Sequence, residues 1–498
     1  MTATDATTEE PGAGRALEET ALVDGYEVVV GLEVHVELNT ATKLFSASPN
    51  RFGDEPNTNI DPVTLGLPGS LPVLNRQAVE LAMRIGLALN CRVQPCTFHR
   101  KNYFYPDMPK DYQISQYDQP LNVDGWLELP SGTRIGVERA HLEEDTGKST
   151  HVGGAGGRIH GSDYSLVDYN RAGVPLVEIV GRPDIRTSEE ARQYVSELRA
   201  ILVAIDASDA KMEEGSMRVD ANVSVRRPGD PLGTRCEIKN LNSVRSVGRA
   251  IDYEARRQIA LVEDGEVVRQ ETRHWDETEG RTHTLRSKEE ANDYRYFPEP
   301  DLVPLVPDPS WIEEVRSSLP LLPAERRARL AEAAGVDPTN TAVAIAVERG
   351  RDELALAALS AGGDATRVLV HVEHNLPPDG PDPVTPTSLA GLTRLEVDGA
   401  LTATQAKQVL GEIAAAGGDA DPAELAAARG FQAMDVGALD GAIDDAIAAQ
   451  AGAWAKYLAG EDKAAGALVG AVMKATKGQA DGKAVTAALQ QRRAAANA

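Results

Sequence analysis

Glu33, His35 and Glu37 alternate with Leu32, Val34, Val36 and Leu38 in the run from Glu27 to Leu38, and Val28 and Val30 extend the aliphatic parity. Successive residues of a strand face opposite ways, so this segment would bury an aliphatic stripe and present a row of carboxylate and imidazole groups. A solvated antiparallel strand would look the same, but two later segments repeat the pattern. From Arg218 to Arg226, Val219, Ala221, Val223 and Val225 alternate with Arg218, Asp220, Asn222, Ser224 and Arg226; after the next turn, Arg235, Glu237 and Lys239 alternate with Cys236 and Ile238. Carboxylates, amides and cations on one side of several strands point to a sheet whose open face binds a metal and an anionic substrate.

Between Arg139 and His151 the chain reads R-A-H-L-E-E-D-T-G-K-S-T-H. Gly147-Lys148-Ser149 mimics the end of a phosphate-binding loop, but Leu142 stands where its first glycine belongs, and Glu143, Glu144 and Asp145 occupy the turn that would cradle phosphates. Three adjacent acids suit a cation instead. Mg²⁺ takes oxygen ligands and bridges to nucleotide phosphates, so Glu33, Glu143 or Glu144 and a third strand carboxylate make a candidate site, with Lys148 free to meet a phosphate. His35, flanked by two glutamates, is a better ligand candidate than His141 or His151.

The stretch from Phe98 to Tyr117 holds six of the chain's twenty-two aromatic residues, interleaved with Arg100, Lys101 and Lys110. Aromatic faces stack bases while basic groups hold phosphates, which makes Arg100, Lys101, Tyr103 and Tyr105 candidates for a nucleotide lip. An aromatic subcore explains the composition equally well. Arg295, in the proline-stiffened D-Y-R-Y-F-P-E-P-D, is placed to read a carboxylate or phosphate, or else to staple a domain boundary.

These groups need a scaffold. From Tyr26 to about Pro300 the sequence shows β-type alternation with Gly and Pro turns; Asn242 and Ser243 can cap a helix whose Val244, Val247, Ile251, Ala255 and Ile259 would cover the back of the sheet. Beyond Pro304, Pro323 to Ala334 and Leu354 to Ala361 have helical spacing, and prolines at 377, 378, 381, 383 and 386 mark a linker or hinge before short Ala-rich helices. The expected division is a disordered extension (1–24), an α+β catalytic body (25–305), a helical domain with linker (306–388) and a helical tail (389–498). The glycine-rich Val152 to Gly157 reads as a surface loop.

The chain has 498 residues and a formal charge of −25, which argues against nonspecific binding to a nucleic-acid backbone. Its end is the exception: Lys463, Lys474, Lys477, Lys483, Arg492 and Arg493 face a single acid, Asp481, between Lys463 and Arg493. Three cysteines make neither a disulfide framework nor a metal knuckle, and no apolar run is long enough to span a bilayer, so a cytoplasmic location is expected.

Taken together, these segments resemble GatB, one of the component chains of the tRNA-dependent amidotransferases. The likeness rests on V-G-L-E-V-H-V-E-L from Val30, R-K-N-Y-F-Y-P-D from Arg100, H-L-E-E-D-T-G-K-S-T-H from His141 and D-Y-N-R-A-G-V-P-L-V-E-I-V from Asp168. K-M-E-E-G-S-M-R-V-D-A-N from Lys211, E-I-K-N-L-N-S from Glu237 and D-Y-R-Y-F-P-E-P-D-L-V-P-L from Asp293 continue it, and L-V-G-A-V-M-K-A-T-K-G-Q-A from Leu468 is similar to the YqeY-like tail. The resemblance implies an antiparallel-sheet cradle of glutamine-synthetase-like topology that binds ATP and Mg²⁺, a helical domain, and a tRNA-binding tail. It implies that the side-chain carboxylate of Glu on tRNA(Gln), or of Asp on tRNA(Asn), is phosphorylated by ATP and then amidated. The ammonia would come from the amidase partner GatA, with the small partner GatC linking the two.

On that resemblance Glu33, Glu143 and Glu144 are candidate Mg²⁺ ligands, with His35, Asp220 and Glu237 as direct or outer partners. Lys148, Lys239 and Arg295 are candidates to bind phosphate or the acyl carboxylate. Two rivals are a small-molecule ligase of glutamine-synthetase type, which has no use for a basic tail, and a noncatalytic tRNA scaffold, which has no use for the carboxylates.

Many members of that family carry C-P-V-C before L-G-x-P-G, whereas here Asp61-Pro62-Val63-Thr64 precedes Leu65-Gly66-Leu67-Pro68-Gly69. With both thiolates missing, no structural zinc is expected. Elemental analysis of chelator-washed protein should find none; stoichiometric zinc would contradict this.

Overall fold

The computed structural model describes residues 22–153, 161–287, 294–377, 380–431, 436–476, 480 and 482–496. Most of the N-terminal extension and of the glycine-rich stretch therefore lies outside the described residues, as do Lys477 and Asp481. The chain forms two compact units, one ending at Pro323 and the other beginning at Ala324.

The strands of the first unit, in chain order, are β1 (Glu27–Glu37), β2 (Arg92–Val93), β3 (Phe98–Asn102), β4 (Tyr112–Gln116), β5 (Asn122–Glu128), β6 (Arg134–Glu144) and β7 (Lys148–Val152). They continue as β8 (Tyr164–Asp168), β9 (Pro175–Gly181), β10 (Met217–Arg226), β11 (Cys236–Leu241), β12 (Glu271–Asp276), β13 (Arg281–Ser287) and β14 (Phe297–Pro298). Four helices join them: α1 (Arg76–Ala88), α2 (Ser188–Ala204), α3 (Val244–Glu263) and α4 (Pro309–Ser317).

Nine strands make the main sheet, in the order β13-β12-β11-β10-β1-β9-β6-β5-β2. It differs from an all-antiparallel sheet at one place, because β11 and β12 run parallel; the 20-residue α3 carries the chain back between them. The aliphatic parity of β1 is buried as the alternation predicts, and it packs with Val177, Ile179, Val219 and Val223 of its neighbours against α1, α2 and α3. Each of these helices starts at a side-chain cap: Asn75 accepts from the Gln77 and Ala78 amides, Thr187 from Glu190, and Ser243 from Ser246. Val247, Ile251, Ala255 and Ile259 of α3 are buried as expected. Its Val244 is partly buried.

On the other face a three-stranded sheet, β14-β3-β4, lies beside β6, and β7 pairs only with β8 in a separate ribbon. The core of this unit does not stop at residue 305. Val315 of α4 belongs to it, with Trp311 and Ile312 packed against it.

The second unit is helical: α5 (Pro323–Ala334), α6 (Thr341–Glu348), α7 (Asp352–Ser360), α8 (Ala365–His374), α9 (Pro386–Val397), α10 (Ala403–Ala415) and α11 (Pro422–Ala428), then α12 (Val436–Ala449), α13 (Ala451–Leu458), α14 (Ala465–Ala475) and α15 (Gly482–Ala496). The prolines around 377–386 do not separate two cores. Leu354, Val368 and Leu369 before them share one cluster with Leu389, Leu392 and Val409 after them. Buried Arg351 meets the chain on either side of positions 378–379, donating to Asp382 Oδ1 (2.6 Å) and to the carbonyls of Pro377 (3.1 Å) and Gly380 (3.3 Å). A second cluster, including Ile443, Tyr457, Leu468, Val472 and Leu489, holds α12 to α15. There the basic character is partly spent internally, since Arg492 pairs with Asp440 and Asp444, and Arg493 with Asp462.

Gly86 shows how tightly α1 sits on the sheet. A Cβ there would lie 2.0 Å from Asn122 Oδ1, and Asn122 is fully buried, donating to the carbonyls of Ala82 and Ala140. Alanine gains about 1 kcal/mol of helix propensity but forces overpacking and disturbs a buried amide, costs of about 1–3 kcal/mol each. Gly86→Ala should therefore lower the melting temperature of the protein, and a rise would overturn this packing account.

Candidate active site

Strand pairing lines up the polar side chains in rows. Across β6, β9, β1 and β10, His141 is opposite Glu178, Glu178 opposite His35, and His35 opposite Arg218. One position along β1 on the same face, Glu33 stands opposite Asp220, and farther out Asn222 stands opposite Glu237 on β11. Alternation keeps Glu33, His35 and Glu37 on the face away from the helices, together with His141 and Glu143 of β6.

Donor atoms of His35, Glu143 and Glu178 lie within 4.8 Å of one another. Glu178 Oε2 is 3.6 Å from the Nε2 of both His35 and His141. Ser115 of β4 donates to Glu143 (3.1 Å), and Asn222 donates to Glu33 (2.9 Å). Lys239 Nζ donates to Asp220 (2.7 Å) and lies 2.9 Å from Glu237. Lys101 of β3 reaches into the field of Glu143 and Glu178, with its ammonium 5.1 Å from the centre of the Tyr294 ring.

This gathering of acids is electrostatically costly. Burial raises the pKa of Glu33, and the charges of Glu178, Glu237 and Asp220 raise it further. Burial alone would lower that of His35, but the Glu178 carboxylate beside it, with the charges of Glu143 and Asp220, outweighs burial and lifts it to about 9. Burial likewise opposes the charges of Lys101 and Lys239, and their acidic neighbours hold both above the ordinary lysine value. Glu178 goes the other way: the two imidazoles and Lys101 overcome its burial and lower its pKa. Within this face His35, Glu143 and Glu178 are the residues whose donor atoms are close enough to share an ion, with Glu33, Asp220 and Glu237 beside them on the same face and the last two engaged by Lys239.

Further along the same face lies a second group. Arg218 donates to Asp145 (2.7 Å) and lies 3.8 Å from Glu37; Arg171 is 3.6 Å from Asp145. Burial and the Asp145 charge raise Glu37 to about 8, while Arg218 and Arg171 outweigh the burial of Asp145 and hold its pKa down.

Several residues singled out from sequence are placed elsewhere. Glu144 points away from Glu143 and is engaged by Lys110 and by the Ile114 amide (2.8 Å); both side chains of the ion pair are buried, so Glu144 is a structural counter-charge. Arg100 is held in a two-bond pair by Glu299 (2.7 and 2.8 Å) with its guanidinium over Tyr112. Its charge is thus engaged by an acid of the protein itself, in the aromatic setting that the subcore alternative describes. Tyr103 and Tyr105 stack on each other at 4.7 Å, and burial raises Tyr103 to about 12. Lys148 is exposed on the β7–β8 ribbon. Arg295 is exposed and adopts the left-handed backbone (φ 45°), its carbonyl accepting from Asn102. Glu178 was not singled out from sequence, although it is the one charge in the buried run P-L-V-E-I-V and keeps the same alternation.

The fold and this group define a class: an α+β body whose helix-backed sheet carries an acid-dominated polar face, joined to an all-helical unit. Within that class the chain belongs to the GatB family. Residues 28–313 match the model of the GatB/GatE catalytic domain and residues 372–492 that of the GatB domain. The B-type subunits of aspartyl/glutamyl-tRNA(Asn/Gln) amidotransferases are similar over nearly the whole length. That of Frankia casuarinae is 51% identical over 94% of this chain and 95% of its own, and that of Salinispora arenicola is 50% identical over 95% and 97%. No helix among the described residues is long and apolar enough to cross a membrane.

The raised values set a pH dependence. His35 holds its proton to about pH 9 when folded against 6.5 ordinarily, so its contribution to stability is complete below 6.5 and lost as pH rises through 9. Glu37, at about 8 against 4.5, also loses stability as pH rises across its window. In chelator, the melting temperature should fall between about pH 7 and 9.5 and fall less in His35→Gln. A wild-type melting temperature that is flat or rises over that range would refute this electrostatic reading.

Proposed function

We propose that this chain is the component of a tRNA-dependent amidotransferase that activates the side-chain carboxylate of Glu on tRNA(Gln), of Asp on tRNA(Asn), or of both, using ATP and Mg²⁺. The observation that carries the reading is the convergence of Glu33, His35, Glu143, Glu178, Asp220 and Glu237 on one sheet face. A carboxylate is a poor acylating group until one oxygen becomes a good leaving group. In the proposed step that oxygen attacks the γ-phosphorus of ATP and ADP departs; ammonia then attacks the acyl carbon and inorganic phosphate leaves, giving the amide.

Bound Mg²⁺ would supply neutralisation of the phosphate oxygens during transfer. The carboxylates of Glu33, Glu143 and Glu178 with His35 would hold it, and Asp220 and Glu237 would complete or orient the set. Lys239, clamped between those last two acids, is poised to exchange them for a phosphate. Lys101 adds a positive charge beside Glu143 and Glu178, and Arg295, next in the chain to the Tyr294 ring that Lys101 faces, is the candidate reader of an anionic group. Lys148 would have to approach from the ribbon, which makes it the weaker candidate. Tyr103 and Tyr105 offer a flat surface to a base. The ammonia source is assigned to an amidase partner with a small linking partner, and the exposed Lys463 and Lys474 of the helical tail are offered to tRNA. The names of the similar proteins support an assembly of this kind, and the three cysteines are buried and pushed up to about 12, which leaves no nucleophilic thiol for releasing ammonia here.

The deciding measurement is release of phosphate from ATP by the assembled complex, with each charged tRNA in turn. Wild type should depend on at least one of them, and Glu33→Gln and Glu143→Gln should each lose roughly 100-fold or more. Glu144→Gln should instead destabilise the protein by about 3–5 kcal/mol, because it strands the buried ammonium of Lys110. A noncatalytic scaffold would leave wild type as silent as the variants.

A further inference from the structure

We propose that His141 is a positioning residue that holds the Glu178 carboxylate in the orientation in which it can share a divalent cation with His35 and Glu143; this rests on the metal-dependent reading above. Glu178 lies on the strand between β6 and β1, so an imidazole flanks it on either side, each with Nε2 at 3.6 Å from the same oxygen, Oε2. The two histidines are not equivalent. His35 belongs to the group whose donor atoms cluster with those of Glu143 and Glu178, and His141 does not.

The environment of His141 selects its tautomer. Its side chain is 5% exposed, and its Nδ1 is buried with no hydrogen-bond partner among the described residues. A proton on Nδ1 would bury an unsatisfied donor and aim the Nε2 lone pair at a carboxylate. A proton on Nε2 aims a donor at Glu178 and leaves only an unfilled lone pair, which proteins tolerate better. Were His35 to hold a cation through Nε2, that nitrogen could carry no proton toward Glu178. His141 is then the remaining imidazole donor to that carboxylate. Outer donors of this kind orient metal-bound carboxylates and are typically worth 10–100-fold in metal affinity. With only Leu142 between them, His141 and Glu143 project from the same face of β6, so one strand would supply both a ligand and the donor that orients another ligand.

The test is Mn²⁺ binding to the assembled complex, followed by loss of the free-ion paramagnetic resonance signal, for wild type and for His141→Gln, His141→Leu and His141→Met, each checked for a cooperative melt. Glutamine can place its amide nitrogen where Nε2 stands, so it should stay within about twofold of wild type, while leucine and methionine should bind about tenfold more weakly or worse. Equal affinity in wild type, leucine and methionine variants, or glutamine as weak as leucine, overturns the proposal. Should leucine fail to fold, methionine against glutamine still decides. Failure of wild type to bind Mn²⁺ at all would sink the metal-dependent reading itself, a result distinguishable from weakening confined to the variants.

Discussion

The first unit depends on the two-faced character of β1. Its even-numbered side chains from Val28 to Leu38 are anchored in the core, and since each large aliphatic residue contributes about 1.5–3 kcal/mol on burial, the strand's rotation about its axis is not negotiable. Glu33, His35 and Glu37 then have only one direction in which to point. A slip of one residue in register would exchange the faces and drive three ionisable groups into the helices. The precision of the polar face is thus a by-product of an apolar one that carries no chemistry.

That constraint explains why part of the site was legible. Alternation is local, and it placed Glu33, His35, Asp220 and Glu237 on strand faces before any partner strand was known. It could not say which of two adjacent acids turns outward: Glu143 and Glu144 are equally acidic, but only pairing of β6 with β9 and the approach of β4 decide that Glu143 joins the cluster while Glu144 meets Lys110. Glu178 was obscured for a related reason. A single charge in a seven-residue apolar strand carries little weight until its neighbours are seen to be two histidines from strands far away in sequence. Arg100 illustrates the opposite error, for its carboxylate partner is Glu299, 199 residues further on.

The helical unit was less readable. Proline clusters mark places where a helix cannot continue, and that much holds between α8 and α9. Whether such a break is also a boundary depends on what packs across it, and there Leu354, Val368, Leu389 and Leu392 belong to one core while Arg351 meets the chain on either side of positions 378–379. Composition misled similarly at the tail, where both arginines counted as basic surface are paired with aspartates.

The polar face also bears on the choice between a catalyst and a scaffold. A protein that only had to hold tRNA would gain nothing from burying Glu33 among other acids, because its raised pKa records the desolvation and mutual repulsion of carboxylates in the folded state, which protonated His35 offsets only in part. Nor is the crowding needed for packing, since the aliphatic face and three helices already bury the sheet. Partial compensation is built in: Lys239 sits between Asp220 and Glu237, and Lys101 faces Glu143 and Glu178. Both are long, single-point cations that can move aside, unlike the two-bond guanidinium clamp on Glu299. Where the structure needs a permanent neutraliser it uses Arg100 or the buried Lys110; where a doubly charged ion would have to enter, it uses groups that can yield. That distribution supports the proposed function, in which such cations would give way to a metal and a phosphate.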